Sequence, residues 1–174
     1  MTTLHGLFVA ELKDIYNAEH QLLKAIPKLA KKAASPALKD AFTGHLKQTE
    51  NQVERLNTAG KILGVKLTGK KCAAMEGLVK EGGEILEEEG QNAVIDAALI
   101  GAAKRVEHYE IAAYGMIRAM AQELGHVTLA NLLQETLDEE GAADKKLTII
   151  AEEEVLADAN NPVLAADAKP ALRS

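Results

Sequence analysis

The sequence predicts an all-α protein, a four-helix bundle of two antiparallel helical hairpins joined by a long crossover. Apolar residues recur at steps of three and four along four long segments, which is the period of a helix with one buried face. Glycine and proline lie mostly between these segments, and no alternating β-branched run predicts a strand. We expect one bundle domain over residues 1–159 and a C-terminal tail over residues 160–174, either frayed or docked on a neighbour.

The first hairpin is predicted from helix start and stop signals. Its first helix is expected over about residues 3–34, and Pro27 should kink it or interrupt its hydrogen bonding. Ser35 has the character of an N-cap, and Pro36 suits the first position of the second helix. The second helix then continues to a plausible stop at Gly64.

The second hairpin follows a connection, residues 65–92, that is long enough to cross the whole bundle. Apolar residues at helical spacing predict a short amphipathic helix within it: Met75, Leu78, Val79, Gly82, Ile85 and Leu86. The third long helix is expected over about residues 93–124, followed by a turn at Gly125-His126. The fourth is expected over about residues 128–156.

Three of the apolar stripes carry a glutamate where an aliphatic residue is expected, at Glu19, Glu110 and Glu140. An ionised carboxylate in an apolar interior costs on the order of several kcal/mol unless something compensates it. Glu19 precedes Glu50 by 31 residues and Glu110 precedes Glu140 by 30, which places each pair at a similar depth in its hairpin. Acids that meet in one bundle interior predict a metal site.

Six acids from the four long helices are the candidate metal ligands: Glu19, Glu50, Glu107, Glu110, Glu140 and Asp144. Iron and manganese accept oxygen or mixed oxygen and nitrogen ligands, so two iron ions, or manganese, are the expected cofactors. Two of the six have clear structural alternatives. Glu50 lies at the rim of its apolar face, and Asp144, at the edge of its stripe, is placed to pair with a lysine.

Other polar residues on the inner faces are candidate partners of these acids. His45 is interpreted as a core histidine or an outer partner rather than a ligand, although it stays an alternative to Glu50 for the second helix. Tyr114 lies one turn past the candidate ligand Glu110 and is interpreted first as a core residue. Alternatively, its hydroxyl hydrogen-bonds a ligand carboxylate or it acts as a redox-active neighbour. Thr49 and Gln52 are candidates for hydrogen bonds that orient the ligands.

Composition excludes several functional classes. The net charge of −6 argues against nucleic acid or an anionic membrane as a main partner. The longest strongly apolar stretch, residues 97–103, is too short to span a bilayer. Cys72 is the only cysteine, which precludes an intrachain disulfide and fits a reducing compartment. The N-terminal stretch does not fit a signal peptide, so we expect a cytoplasmic protein.

Four stretches of the chain resemble the ferritin-like stress proteins of the YciE/YciF type. They are residues 12–19, 45–56, 106–112 and 137–140, and the third reads Val-Glu-His-Tyr-Glu-Ile-Ala. The similarity covers about residues 4–155. The resemblance implies a bacterial, cytoplasmic, ferritin-like four-helix bundle with an added short helix. It also implies a homodimer, a link to stress responses and kinship with rubrerythrin-like di-iron proteins.

The sequence also departs from ferritin-like di-iron sites, which carry Glu-x-x-His on the second and fourth helices. Val53 stands three residues after Glu50, and Ala143 stands three residues after Glu140. Asp144 is a candidate replacement for the second of these histidines.

Two hypotheses of function follow. The leading one is a stress-response protein that binds two iron or manganese ions and oxidises ferrous iron or reduces oxygen or peroxide. The alternative is a non-enzymatic, dimeric helical-bundle stress protein without a functional metal site. Its buried acids would be protonated, paired with lysines or bridged by water.

Overall fold

The computed structural model describes residues 2–161, and helices occupy most of this range. In order they are α1 (Leu4–Lys32), α2 (Pro36–Leu63), α3 (Ala73–Glu87), α4 (Asn92–Glu123), α5 (Val127–Ile150) and α6 (Leu156–Ala159). The described part of the chain contains no strand, which confirms the all-α prediction. Apart from its first two residues, the predicted tail lies outside the described residues.

Four long helices form a closed ring, in which α1 packs beside α2 and α4, and α5 packs beside α2 and α4. Helix α1 is antiparallel to α4, because Glu19 contacts Tyr114 whereas Ser35, just beyond the end of α1, contacts Asp96 near the start of α4. Helix α3 lies outside the ring against α1 and α4. This arrangement confirms the two predicted hairpins, the long crossover and the added short helix. No helix of the described range combines the length and apolarity needed to cross a membrane.

The predicted boundaries of the first hairpin are confirmed. The Ser35 hydroxyl accepts a hydrogen bond from the Leu38 amide at 3.2 Å, and Pro36 begins α2. Gly64 ends α2 with φ of 65°, a left-handed conformation that favours glycine. Helix α1 continues through Pro27 to Lys32, so the proline does not end it.

The last long helix differs from its prediction. Instead of one helix to about residue 156, α5 ends at Ile150 and a single π-helical turn, Ala151–Val155, leads into α6. Such a turn holds one extra residue per hydrogen-bonded ring and therefore shifts the face that the following residues present. Val155 is buried by this turn, whereas the acidic residues 152–154 remain exposed.

The crossover is fastened to α1 at both of its ends. Before α3, the Cys72 amide donates to the Asn17 side chain at 2.8 Å, and the Gln21 amide donates to the Cys72 carbonyl at 3.0 Å. After α3, the Lys32 ammonium donates to the carbonyls of Leu86 at 3.0 Å and of Glu88 at 2.8 Å. These bonds satisfy backbone groups that the connection leaves outside helices.

A buried carboxylate joins the two hairpins. Asp96 of α4 is 2% exposed, and its two oxygens accept hydrogen bonds from the amides of Ala34 at 2.9 Å and Ser35 at 2.7 Å. These amides belong to the turn between α1 and α2. A carboxylate that accepts two backbone N–H bonds is a strong fastening, because charge-assisted hydrogen bonds are about twice as strong as neutral ones.

We expect Asp96→Ala to lower the free energy of unfolding by about 2–4 kcal/mol, because both amides lose a charged acceptor. Urea unfolding followed by circular dichroism measures this loss. Asp96→Asn keeps one acceptor oxygen, so its free energy of unfolding should lie between those of the wild type and Asp96→Ala. The matched control is Asp40→Ala on the exposed surface of α2, which should leave stability nearly unchanged. Equal effects of the alanine variants would contradict the role given to Asp96.

Candidate metal centre

Four buried side chains converge in the middle of the helical ring. His45 comes from α2, Glu107 and Glu110 come from α4, and Glu140 comes from α5. One potential ligand atom from each residue lies within 4.8 Å of those of the others. Glu19 of α1 is fully buried and repels Glu110 and Glu140 electrostatically, so all four walls contribute a polar group. We call these five residues the buried cluster.

Helix periodicity explains why the glutamates of the buried cluster point inward. Glu19 lies between Ile15 and Leu22, and each of these three residues is at most 3% exposed. Glu107 and Glu110 are three residues apart, so they project from the same side of α4. The apolar neighbours of each glutamate fix the face of the helix, and the carboxylate is buried with them.

Outer hydrogen bonds orient two of the carboxylates. The Tyr114 hydroxyl donates to Glu19 Oε1, so the predicted alternative of a hydrogen bond to a candidate ligand is the one observed. The Gln52 amide donates to Glu140 Oε1 and, at 3.1 Å, to Glu139 Oε2. The prediction of Gln52 as an orienting residue is therefore confirmed.

An ion pair supports the Gln52 bridge from outside. The Arg55 guanidinium donates two hydrogen bonds of 2.7 Å to the Glu139 carboxylate, and this pairing raises the pKa of Arg55. Arg55 also approaches Glu135, with 3.3 Å between Nε and Oε2. This bidentate pair between α2 and α5 was missed in the sequence, because a fixed separation along the chain does not relate the two residues.

The cluster leaves many polar atoms without a hydrogen bond. In the described part of the chain, eight buried side-chain nitrogen and oxygen atoms have no hydrogen-bond partner, and all eight belong to the buried cluster or to Gln52. They are Glu19 Oε2, His45 Nδ1 and Nε2, Gln52 Oε1, Glu107 Oε2, both Glu110 oxygens and Glu140 Oε2. Buried polar groups are normally satisfied, so such a concentration is compatible with a site that binds a metal ion.

Burial makes these carboxylates hard to ionise without a cation. Desolvation, reinforced by repulsion from Glu140, raises the pKa of Glu19 to about 8. Desolvation and the proximity of Glu140 raise the pKa of Glu107 to about 10. Burial and three neighbouring carboxylates also hold the pKa of Glu110 well above its ordinary value. A cation that bound here would have to displace protons from these carboxyls.

The structure brings together four of the six predicted ligands and leaves out two. Glu50 is exposed, because the neighbouring Thr49 takes the inward position on α2. Asp144 turns away from the cluster toward Lys104, with 2.5 Å between Oδ1 and Nζ, and toward His108, with 3.2 Å between Oδ1 and Nε2. The lysine pairing considered as the alternative for Asp144 is thus the one observed.

On α2 the cluster uses His45, the alternative to Glu50. His45 Nε2 lies 3.4 Å from Glu107 Oε1 and 3.9 Å from Glu140 Oε2. The sequence contained a signal for this position, because His45 shares an inner stripe with Thr49 and Gln52, both fully buried.

The fold and this cluster define a helical-bundle protein with a buried carboxylate and histidine site. The chain belongs to the family described as Domain of unknown function (DUF892), which matches residues 3–160. It is 45% identical over 152 residues to Protein YciF of Escherichia coli (strain K12), covering 87% of this chain and 92% of that protein. The resemblance to the YciE/YciF type is therefore confirmed.

Solved structures agree with this assignment. The crystal structure of the Escherichia coli stress protein YciF matches with a TM-score of 0.86 and 43% identity, covering 92% of this chain and 99% of that one. YcfI from Rhodopseudomonas palustris matches with a TM-score of 0.81 and 44% identity, covering 84% and 94%. Both similarities extend over nearly the whole bundle.

The raised pKa values predict how stability depends on pH without metal. Glu19 and Glu107 bind protons more tightly in the folded than in the unfolded protein, because folding raises their pKa values from 4.5 to about 8 and about 10. Their contribution to the free energy of unfolding is therefore complete below pH 4.5 and is lost as the pH rises toward the folded pKa of each group. Between pH 5 and pH 8, stability in a chelator should fall by up to about 1.4 kcal/mol per pH unit for each group. Urea unfolding across this range measures the slope.

Two variants make this measurement specific. Glu107→Gln should flatten the slope, because an amide does not titrate. Glu50→Gln, on the exposed surface of α2, should leave the slope as in the wild type. A metal-free wild type whose stability stays constant or rises from pH 5 to pH 8 would contradict the pKa values given to the cluster.

Proposed function

We propose that this protein binds two divalent iron or manganese ions in the buried cluster and uses them in defence against oxidative stress. The main support is that, among the residues the structure describes, the eight buried polar side-chain atoms without a hydrogen-bond partner all lie in the cluster or on Gln52. The charge supports two ions, because four buried carboxylates supply four negative charges and two divalent cations supply four positive ones. The similarity to a protein called a stress protein supports the cellular role.

The donor set suits these metals. Carboxylate oxygens with a single imidazole nitrogen favour iron or manganese over softer ions, which prefer thiolate ligands. His45, Glu107, Glu110 and Glu140 would hold one ion, because they form the group with ligand atoms within 4.8 Å. Glu19 would serve the second, and Glu110, with both oxygens unpartnered, is the candidate bridge.

Bound iron would supply the electrons for peroxide reduction. Two ferrous ions, one hydrogen peroxide and two protons would give two ferric ions and two waters. The protein would contribute a site that is largely shielded from bulk water, since Glu19, Glu110 and Glu140 have no exposed surface. Tyr114 and Gln52 would hold two carboxylates in place through their hydrogen bonds. The raised pKa values of Glu19 and Glu107 would let these carboxyls accept protons when metal leaves.

We expect protein loaded anaerobically with ferrous iron or manganese and then desalted to retain about two metal ions per chain, the number that balances four carboxylates. Glu110→Gln and Glu140→Gln should lose most of this metal, because each removes a charge and a ligand oxygen from the centre of the cluster. Elemental analysis against protein concentration measures the ratio.

The matched controls for metal binding are the two predicted ligands that the structure places outside the cluster. Glu50→Gln and Asp144→Asn make the same chemical change and should retain the wild-type ratio. Wild-type protein that retains no metal after loading at neutral pH would overturn the proposal. Equal loss in cluster and control variants would show that the metal binds elsewhere.

The proposed reaction is tested separately. The loaded wild type should oxidise about two ferrous ions for each hydrogen peroxide that it consumes. Ferric absorbance measures the iron, and a peroxide electrode measures the peroxide. Glu110→Gln should oxidise iron no faster than iron in buffer, and Glu50→Gln should keep the wild-type rate. A wild type that binds two ions but oxidises iron no faster than buffer alone would be a metal carrier and not a catalyst.

One observation favours a second candidate function, a non-enzymatic dimeric bundle. The high pKa values of Glu19 and Glu107 allow these two carboxyls to be protonated at neutral pH without any ion. Exposed apolar side chains such as Met116, Ile149 and Ile62, each at least 50% exposed, would then serve a homodimer interface. The similar YcfI is named as a candidate structural protein. Absence of metal uptake, with Glu110→Gln more stable than the wild type, would favour this function.

A further inference from the structure

We propose that a pocket between α2 and α5 is the route by which metal ions and hydrogen peroxide reach the buried cluster. This inference rests on the proposed function. The pocket has a volume of about 320 Å³, and its lining includes two members of the cluster, His45 and Glu107. It therefore connects the metal site with solvent, and we call it the access pocket.

The exposure of the cluster residues points to the same side. His45 is 8% exposed and Glu107 is 3% exposed, whereas Glu19, Glu110 and Glu140 have no exposed surface. The two exposed members are the two that line the access pocket. Solvent thus reaches the edges of these two side chains from the pocket, whereas both His45 nitrogens and Glu107 Oε2 stay buried.

Small residues keep the access pocket open. Its walls include Gly44 on α2 and Ala142 and Ala143 on α5. A Cβ atom added at Gly44 would have no other heavy atom within 4 Å, so the space beside this glycine is empty of protein. The volume holds several waters at about 30 Å³ each, which suits a hydrated ion or peroxide but not a macromolecule.

A lysine on the lining sets the charge of the route. Lys146 is exposed, lines the access pocket and has no ion-pair partner among the described residues. A single positive charge at the mouth repels divalent cations and leaves neutral hydrogen peroxide unaffected. The route should therefore admit metal slowly and peroxide freely.

The test is the rate at which metal-free protein takes up Co²⁺, followed by its visible absorption in a stopped-flow instrument. Gly44→Leu should slow both uptake and release to a chelator by at least about tenfold, because a leucine in the pocket makes each passage depend on local opening. The equilibrium affinity should change little, since Gly44 contributes no ligand.

The matched control is Gly141→Leu on α5. A Cβ atom there also has no neighbour within 4 Å, the change of residue is the same, and Gly141 does not line the pocket. It should keep the wild-type rates. If Gly44→Leu does not fold, Ala142→Phe on the opposite wall provides the second obstruction and should also slow both rates.

Lys146→Glu tests the charge of the route. It should speed Co²⁺ uptake at low ionic strength, and the difference from the wild type should shrink as salt screens it. Equal rates for the wild type, Gly44→Leu, Ala142→Phe and Lys146→Glu, with Co²⁺ bound at equilibrium, would overturn the access route alone. A wild type that binds no metal at equilibrium would instead overturn the proposed function and this inference with it.

Discussion

The burial of four carboxylates in a bundle interior made of aliphatic side chains is the constraint on which the rest of the structure depends. Within residues 2–161, no lysine or arginine forms an ion pair with these carboxylates. Arg55 lies outside the cluster and forms an ion pair with Glu139, and Lys104 forms an ion pair with Asp144. The cluster is left with protons or an external cation as its counter-charge, and both proposed functions follow from that choice.

The fold and the centre of the site could be predicted because they depend on local or periodic signals. Ser35 and Pro36 mark a helix start by their own backbone chemistry, and Gly64 marks a stop by tolerating a left-handed conformation. Glu19 and Glu140 interrupt apolar stripes, so whatever buries the stripe also buries the acid. No knowledge of the partner helix was needed for any of these positions.

The remaining residues could not be predicted because their positions depend on other helices. In the sequence, Glu50 and His45 both border the apolar face of α2. Only the rotation of α2 against α4 and α5 turns His45 inward and leaves Glu50 exposed. The stripe of α5 allows Asp144 to face inward, but its carboxylate pairs with Lys104 of α4 instead. Asp96 is buried for a different reason, since its partners are amides in a distant turn.

The fastening of the crossover has a consequence for the folding of the whole chain. Asn17 and Lys32 hold the two ends of the crossover, so α3 cannot detach without exposing backbone groups that α1 satisfies. Asp96 ties the first turn to the second hairpin in the same way. Neither hairpin is then an independent cooperative unit. The core of the bundle should open and close as a single foldon, so its most protected amides should share one free energy of opening in hydrogen exchange.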